Sequence, residues 1–307
     1  MKQILFLKLL FTIAVITGVL WNFNVIASTF ISAGMGIKIG ILSGKINSPL
    51  KISPTETASL YRSRADAYFV KSDYSRAIAD YGKIIEIEQG NAYAYSMRGS
   101  AYMKTSNFQK AADDFEMLLK FSANIDEKIN AANLLTNACV KSKEPNRAIG
   151  AFNELLKTST ATAKVYRYRG STYGKFGDFD KAIADYSKAM ELDPQNADFV
   201  YGHGVFYYRK DDYENAIRDF SKAIELNPRK LSAYYNRGTS YYRMGNDEAA
   251  YADFMKVIEL RPVASLFKMR ICYKIAAIGI SELTGYRLDK GHHYRKSRAT
   301  DESIYIQ

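Results

Sequence analysis

Four arginines each stand sixteen residues before an aspartate: Arg64 and Asp80, Arg98 and Asp114, Arg169 and Asp185, Arg237 and Asp253. His203 and Asp219 form a fifth couple at the same spacing. A guanidinium and a carboxylate can make a two-bond ion pair, and arginines repeated in this way can also present an array of sites for carboxylate or phosphate ligands. At a sixth place along the chain both charges are lost together, and the corresponding positions hold Leu135 and Ala151. Residues that come and go together within one chain argue for contact between them. A partly buried charge keeps a partner, so the couples are expected to set helix packing rather than to hold a ligand.

Other chemistry is sparse. No glycine-rich phosphate loop with lysine, no Gly-x-Ser-x-Gly elbow and no His-Glu-x-x-His occurs in the 307 residues. Of the 3 histidines, His292 and His293 stand side by side near the end, without a cysteine or spaced carboxylate to complete a metal site. Cys139 and Cys272 are the only cysteines; both fall on apolar helix faces and read as small core residues, too far apart along the chain's repeats to pair. The expectation is a non-catalytic protein with no cofactor and no metal.

The elements that position the charged couples follow from a period. Gly170, Gly204 and Gly238 recur at 34 residues, and counting back reaches Thr136, Gly99 and Ala65. A tyrosine follows three residues on (Tyr68, Tyr102, Tyr173, Tyr207, Tyr241), an alanine twelve on (Ala77, Ala111, Ala182, Ala216, Ala250) and an aromatic sixteen on (Tyr81, Phe115, Tyr186, Phe220, Phe254). Such a period marks a stacked repeat array. Numbered from 1 to 34, the units run 58–91, 92–125, 129–162, 163–196, 197–230 and 231–264, with residues 126–128 inserted. Positions 4, 7, 8 and 11 share one face of a first helix, and positions 20, 24 and 27 share one face of a second. The break falls at positions 15 and 16, where Gly177-Asp178, Asp211-Asp212 and Gly245-Asn246 stand. Glycine stops one helix and Asp or Asn caps the next. Position 8 must be small because the two helices cross there.

This pattern resembles the tetratricopeptide repeat family, with its small residue at 8, aromatic at 11, alanine at 20, aromatic at 24 and proline at 32 (Pro194, Pro228, Pro262). Val257 replaces the family's alanine at 27, and unit 129–162 departs most, with Thr136, Cys139 and Pro145. The resemblance implies an all-α, right-handed superhelical solenoid of six helix-turn-helix repeats, in an exported, bacterial-type member of the family. It also implies a protein-binding scaffold, because stacked helix pairs build a long concave surface. The family's architecture directs positions 2, 5, 9, 12 and 13 to that surface. They hold Arg62, Lys104, Lys141, Lys164, Arg167, Lys175, Arg209 and Arg243, opposed by Asp66 and Asp198. The expected partner-binding set is Lys164, Arg167, Lys175, Tyr201, Tyr208, Arg209, Tyr235, Asn236, Tyr242 and Arg243. It suits an acidic or carboxylate-bearing protein or peptide. The family's clamp for C-terminal carboxylates is not matched: Asn133 and Asn137 agree in part, Tyr168 stands where Asn is needed, and Asp198 has the wrong sign.

The ends lie outside the period. Residues 1–27 combine Lys2 and Lys8 with an apolar run from Leu9 to Trp21, then Val25-Ile26-Ala27, and read as a signal peptide; residues 4–26 as a membrane anchor are the alternative. Residues 28–57, with Gly34, Gly36, Gly40 and Gly44, read as a flexible or extended linker or as a segment that folds back onto the array. Residues 265–284 are expected to form a capping helix and 285–307 a basic tail carrying Arg287, Lys290, Arg295, Lys296 and Arg298. With a net charge of +11, adhesion to an anionic polymer or membrane surface through groove and tail is the competing function; neither nucleic acid nor a small-molecule substrate is expected. The exported form is expected to begin at Ser28. N-terminal sequencing of protein from its native host checks this, and a membrane-fixed chain still beginning at Met1 would contradict it.

Overall fold

Turn residues decide where each helix begins and ends. The computed structural model describes residues 23–48, 52–158 and 162–260, with side chains from Gly34 onward. The described residues form two compact units divided between Glu144 and Pro145. The first holds α1 (Phe23–Ile46), α2 (Pro54–Val70), α3 (Tyr74–Ile87), α4 (Ala92–Lys104), α5 (Phe108–Phe121) and α6 (Ile125–Ser142). The second holds α7 (Pro145–Thr158), α8 (Ala163–Lys175), α9 (Phe179–Leu192), α10 (Ala197–Arg209), α11 (Tyr213–Leu226), α12 (Leu231–Met244) and α13 (Asp247–Leu260). The described residues contain no strand, as an all-α repeat requires. The division separates the two helices of the third repeat, 129–162. The expected signal segment up to residue 22, the capping helix 265–284 and the basic tail 285–307 lie outside the described residues.

Position 15 has left-handed backbone in all six repeats: Ser72 (φ 60), Ser106 (φ 60), Lys143 (φ 63), Gly177 (φ 87), Asp211 (φ 61) and Gly245 (φ 82). That single inverted residue turns the chain back on itself. Position 16 then caps the next helix: Asp73 accepts from the Arg76 amide, Asp178 from Lys181, Asp212 from Asn215 and Asn246 from Ala249. The array starts four residues before the periodic pattern does, because Ser53 accepts from the Glu56 amide and Pro54 opens α2. The insertion 126–128 is an extra first turn of α6 rather than a loop, capped by Asn124, which accepts from the Glu127 amide at 2.9 Å.

The core is periodic as well. Alanines at position 20 (Ala77, Ala111, Ala148, Ala182, Ala216, Ala250) are fully buried, as are the aromatics Tyr81, Phe115, Phe152, Phe220 and Phe254 at position 24. Burying one such ring contributes roughly 1.5–3 kcal/mol. At Gly170 an added Cβ would stand 2.9 Å from the Tyr186 ring and 3.1 Å from the Ala182 carbonyl oxygen, which is the close crossing expected at position 8.

Each arginine couple is a two-bond ion pair between the helices of one repeat. Arg64 meets Asp80 at 2.7 and 2.7 Å, Arg98 meets Asp114 at 2.9 and 2.7 Å, Arg169 meets Asp185 at 2.8 and 2.6 Å, and Arg237 meets Asp253 at 2.9 and 2.8 Å. The carboxylate hydrogen bonds raise the pKa of all four arginines above the ordinary value, against opposition from burial. Burial pushes the Asp114 carboxyl up while Arg98 opposes it. A third bond runs to the preceding helix. Arg169 Nη1 donates to Asn153 Oδ1 at 2.9 Å, and Arg237 Nη1 to Ser221 Oγ at 2.9 Å. Both acceptors occupy position 25 of the repeat before.

The same bond overturns the linker reading of residues 28–57. Phe23–Ile46 is helical, and Arg64 Nη1 donates to Ser43 Oγ on it at 3.1 Å. The helix α1 thus takes the place of a preceding repeat's second helix, and the contact outweighs the glycines' low intrinsic propensity. Among the described residues no helix is long and apolar enough to cross a membrane.

Arg237 and Asp253 side chains are 21% and 7% exposed. Arg237→Leu alone is therefore expected to cost about 3 kcal/mol, because it strands a buried carboxylate. Arg237→Leu with Asp253→Ala, which copies the Leu135/Ala151 repeat, is expected to recover much of that loss. Thermal melts of the two singles and the double check it, and strictly additive losses would contradict the contact.

Candidate functional site

The expected partner-binding residues lie on the first helices of the second unit, α8, α10 and α12. Neighbouring first helices touch at two places. Phe206 on α10 sits over Gly174 on α8, where an added Cβ would lie 2.1 Å from the ring. Asn236 on α12 donates from Nδ2 to the Tyr201 hydroxyl on α10 at 2.8 Å. Positions 5, 9 and 12 of these helices lie one turn apart along a single stripe.

On α8, Lys164 is exposed in the first turn, Arg167 is half-buried and Lys175 is half-buried at the last turn. The Arg167 guanidinium stacks 4.1 Å from the Tyr168 ring centroid. Burial lowers the pKa of Lys175 below the ordinary lysine value. On α10, the Tyr201 ring packs against Phe220 at 5.7 Å and carries the Lys230 ammonium at 4.8 Å. Tyr208 meets the Tyr213 ring at 5.5 Å, and Arg209 stands 5.9 Å from the Phe179 ring. Tyr213 donates to Asp211 Oδ1 at 2.6 Å; burial, then Asp211, raise its pKa, and nearby Arg243 opposes them. On α12, Tyr235 packs on Phe254 at 5.9 Å, Tyr242 lies half-buried against the same core, and Arg243 is exposed. The tyrosine rings belong to the core while the arginines extend from its edge, which gives rigid amphipathic surface at low conformational cost.

Asn236 differs from the rest of the expected set. It is 7% exposed and uses its amide on Tyr201, so it lies beneath the face and orients a residue that is on it. Lys230 was not among the expected residues. It occupies the turn position where Asn91, Thr162 and Asn196 cap the following helices, yet it caps nothing and instead pairs with Asp198. A lysine at a capping position is the sequence signal that could have found it. Asp198, the acidic residue among the five surface positions of this unit, is thereby held by a cation.

The first unit treats the same positions differently. Asp66 Oδ1 accepts from the Tyr81 hydroxyl at 2.7 Å and from the Tyr93 hydroxyl at 2.9 Å, and Arg62 lies 3.8 Å over the Tyr93 ring. Burial and the bond to Asp66 raise the pKa of both tyrosines. Lys104 and Lys141 are exposed. Among the described residues no group of three or more His, Cys, Asp or Glu could hold a metal ion.

The sequence matches family models described as tetratricopeptide repeat at residues 62–124 and at 163–196 and 232–262, and one described as TPR repeat at 206–245. DnaJ homolog subfamily C member 3 of Gallus gallus is 27% identical over 153 residues, covering 46% of this chain and 30% of that protein. RNA polymerase II-associated protein 3 of Xenopus laevis is 30% identical over 158 residues, covering 46% of this chain and 23% of that protein. The chain spans less than a third of the length of either relative. The structure of the C-terminal part of a TPR repeat-containing protein from Cytophaga hutchinsonii superposes with a TM-score of 0.52 at 22% identity, covering 75% of this chain and 90% of that one.

The seat of Phe206 yields a direct test. Phe206 is 3% exposed, so its ring has little room to move. Gly174→Ala is expected to overpack the α8–α10 contact and cost about 1–3 kcal/mol in a thermal melt. An unchanged melting curve would mean that Phe206 is not seated on Gly174.

Proposed function

The chain belongs to the tetratricopeptide repeat family, and from that premise we propose that it is a non-catalytic scaffold holding an extended, acidic peptide or protein segment on the inner face of its second unit. Tetratricopeptide repeats are interaction modules whose first helices line a concave surface. The observation that carries the acidic preference is the distribution of charge in this unit. Lysines on the outer side of the second helices sit beside glutamates of their own helix: Lys157 with Glu154, Lys188 with Glu191, Lys222 with Glu225 and Lys256 with Glu259. Lys164, Arg167, Lys175, Arg209 and Arg243 gather on the first helices, where the acidic member is Asp198, held by Lys230. Carboxylates of a partner would meet guanidinium groups there, and its apolar side chains would meet Tyr201, Tyr208, Tyr235 and Tyr242.

The proposal includes export. Lys2, Lys8, the apolar run Leu9 to Trp21 and the Val25/Ala27 pattern support passage across a membrane and a partner in the cell envelope. Retention by residues 4–26 is the second reading. The continuous helix Phe23–Ile46 favours it, because the helix runs through the Ala27–Ser28 junction.

A charge reversal at Arg167→Glu, Arg209→Glu and Arg243→Glu tests the surface. Lys175 is left in place because it is half-buried. Affinity capture from the native cell envelope at low salt is expected to lose the partner in the triple variant, while the melting curve stays nearly unchanged. Capture that survives both the reversal and high salt would contradict the electrostatic surface.

A further inference from the structure

The helix α1 is apolar on two sides, and the described residues cover one of them. Met35, Ile39, Leu42 and Ile46 form a half-buried stripe at helical spacing. Beside it stands Ser43, whose hydroxyl accepts from Arg64 on α2. A second stripe, turned away from the first, holds Gly34, Ile37, Lys38, Ile41 and Lys45, all exposed. Ile37 and Ile41 lie one turn apart and are 50% and 58% exposed. A Cβ added at Gly34, Gly40 or Gly44 would meet nothing within 4 Å, so this side is open along its described length. Apolar side chains gathered on one open face mark a surface that meets something else. The charge around it has one sign. No acidic residue precedes Glu56 in the chain. Lys38 and Lys45 flank the isoleucines, and Lys71 of α2 brings its ammonium to 3.8 Å from the place a Gly36 Cβ would take.

We propose that α1 is an interfacial helix that lies on an anionic lipid bilayer, with Ile37 and Ile41 in the acyl boundary and Lys38 and Lys45 at the headgroups. Isoleucine beside lysine on one face suits that boundary, because a lysine stem can bury its methylenes while its ammonium stays at the phosphates. The sequence just before α1 has the same character: the apolar run Leu9 to Trp21 with Lys2 and Lys8. A second copy of the chain fits less well. Residues 34–45 span about 18 Å of helix, so two matching stripes would bury about 400 Å² in all, against the roughly 1,200 Å² of a stable interface. Spanning the bilayer is not what α1 does, since no described helix is long and apolar enough. The contact uses residues 34–45 and so does not depend on a cut after Ala27. It is also separate from the peptide face on the second unit, and either can fail without the other.

Tryptophan fluorescence tests this in the full chain. Trp21 is the only tryptophan, so Trp21→Phe clears the background, and one reporter is then placed by Ile41→Trp or, as a control, by Leu192→Trp, an exposed position on α9. The vesicles are phosphatidylglycerol mixed with phosphatidylcholine brominated on its acyl chains. Emission from position 41 is expected to shift to the blue on vesicles and to be quenched by the bromine, while position 192 shows neither. Ile37→Glu in the same chain is expected to lower the quenching at 41. An upright α1 held only by the residues before it would leave position 41 about 27 Å along the helix from Phe23, outside the acyl layer and unquenched. No quenching at 41, equal quenching at 41 and 192, or quenching unmoved by Ile37→Glu would overturn the proposal. So would a blue shift at 41 that needs no vesicles and grows with protein concentration, which would assign the face to a second copy.

Discussion

A half-buried guanidinium with three fixed bonds ties together the helices of the second unit. Arg169 and Arg237 each reach a carboxylate on the second helix of their own repeat and an oxygen on the second helix of the repeat before. One planar fork therefore sets three helices at once. Such a pair adds little stability over an apolar replacement, but half of it is costly to keep. The Leu135 and Ala151 repeat shows both outcomes: the charges are absent together, and Leu135 is fully buried in their place. The pairs act by fixing rotation. With position 7 turned inward, positions 5, 9 and 12 are turned to the opposite stripe, where the tyrosines stand.

Charge follows from the same rotation. The second helices carry their lysines beside glutamates on the outer side, while the first helices of the second unit carry arginines and lysines beside half-buried tyrosine rings. Tyrosine and arginine dominate binding surfaces because each offers a large contact with few rotatable bonds to immobilise or a pre-formed fork. In the first unit the same positions are closed on themselves, with Asp66 taking two tyrosyl hydroxyls and Arg62 stacked on Tyr93. One repeat pattern thus gives two surfaces of different character.

Most of the fold was legible because its rules are local. The left-handed residue at 15, the cap at 16 and the small residue at 8 each act within one helical hairpin. The ion pairs were legible because arginine and aspartate vary together. What was hidden depends on tertiary contact. Four glycines argue against a helix in α1, yet the Ser43–Arg64 bond ties it to α2. The acceptors of the third bond are Ser43, Asn153 and Ser221, residues with only a side-chain oxygen in common. Of the expected site, Arg167, Tyr201, Tyr208, Arg209, Tyr235 and Tyr242 lie half-buried on the first helices of the second unit. Asn236 is turned beneath the face because an amide can satisfy a buried hydroxyl, and Lys230 was missed because a long side chain can cross from a turn to the next helix.

The central claim is that the partner lies on the inner face of the second unit. Site-specific photo-crosslinking tests it most directly, with a photoreactive side chain placed at Tyr208 on that face or at Glu225 on the outer side of α11, in chains carried in the native host. The account predicts partner crosslinks from position 208 and none from position 225. Crosslinks from 225 with none from 208 would contradict it.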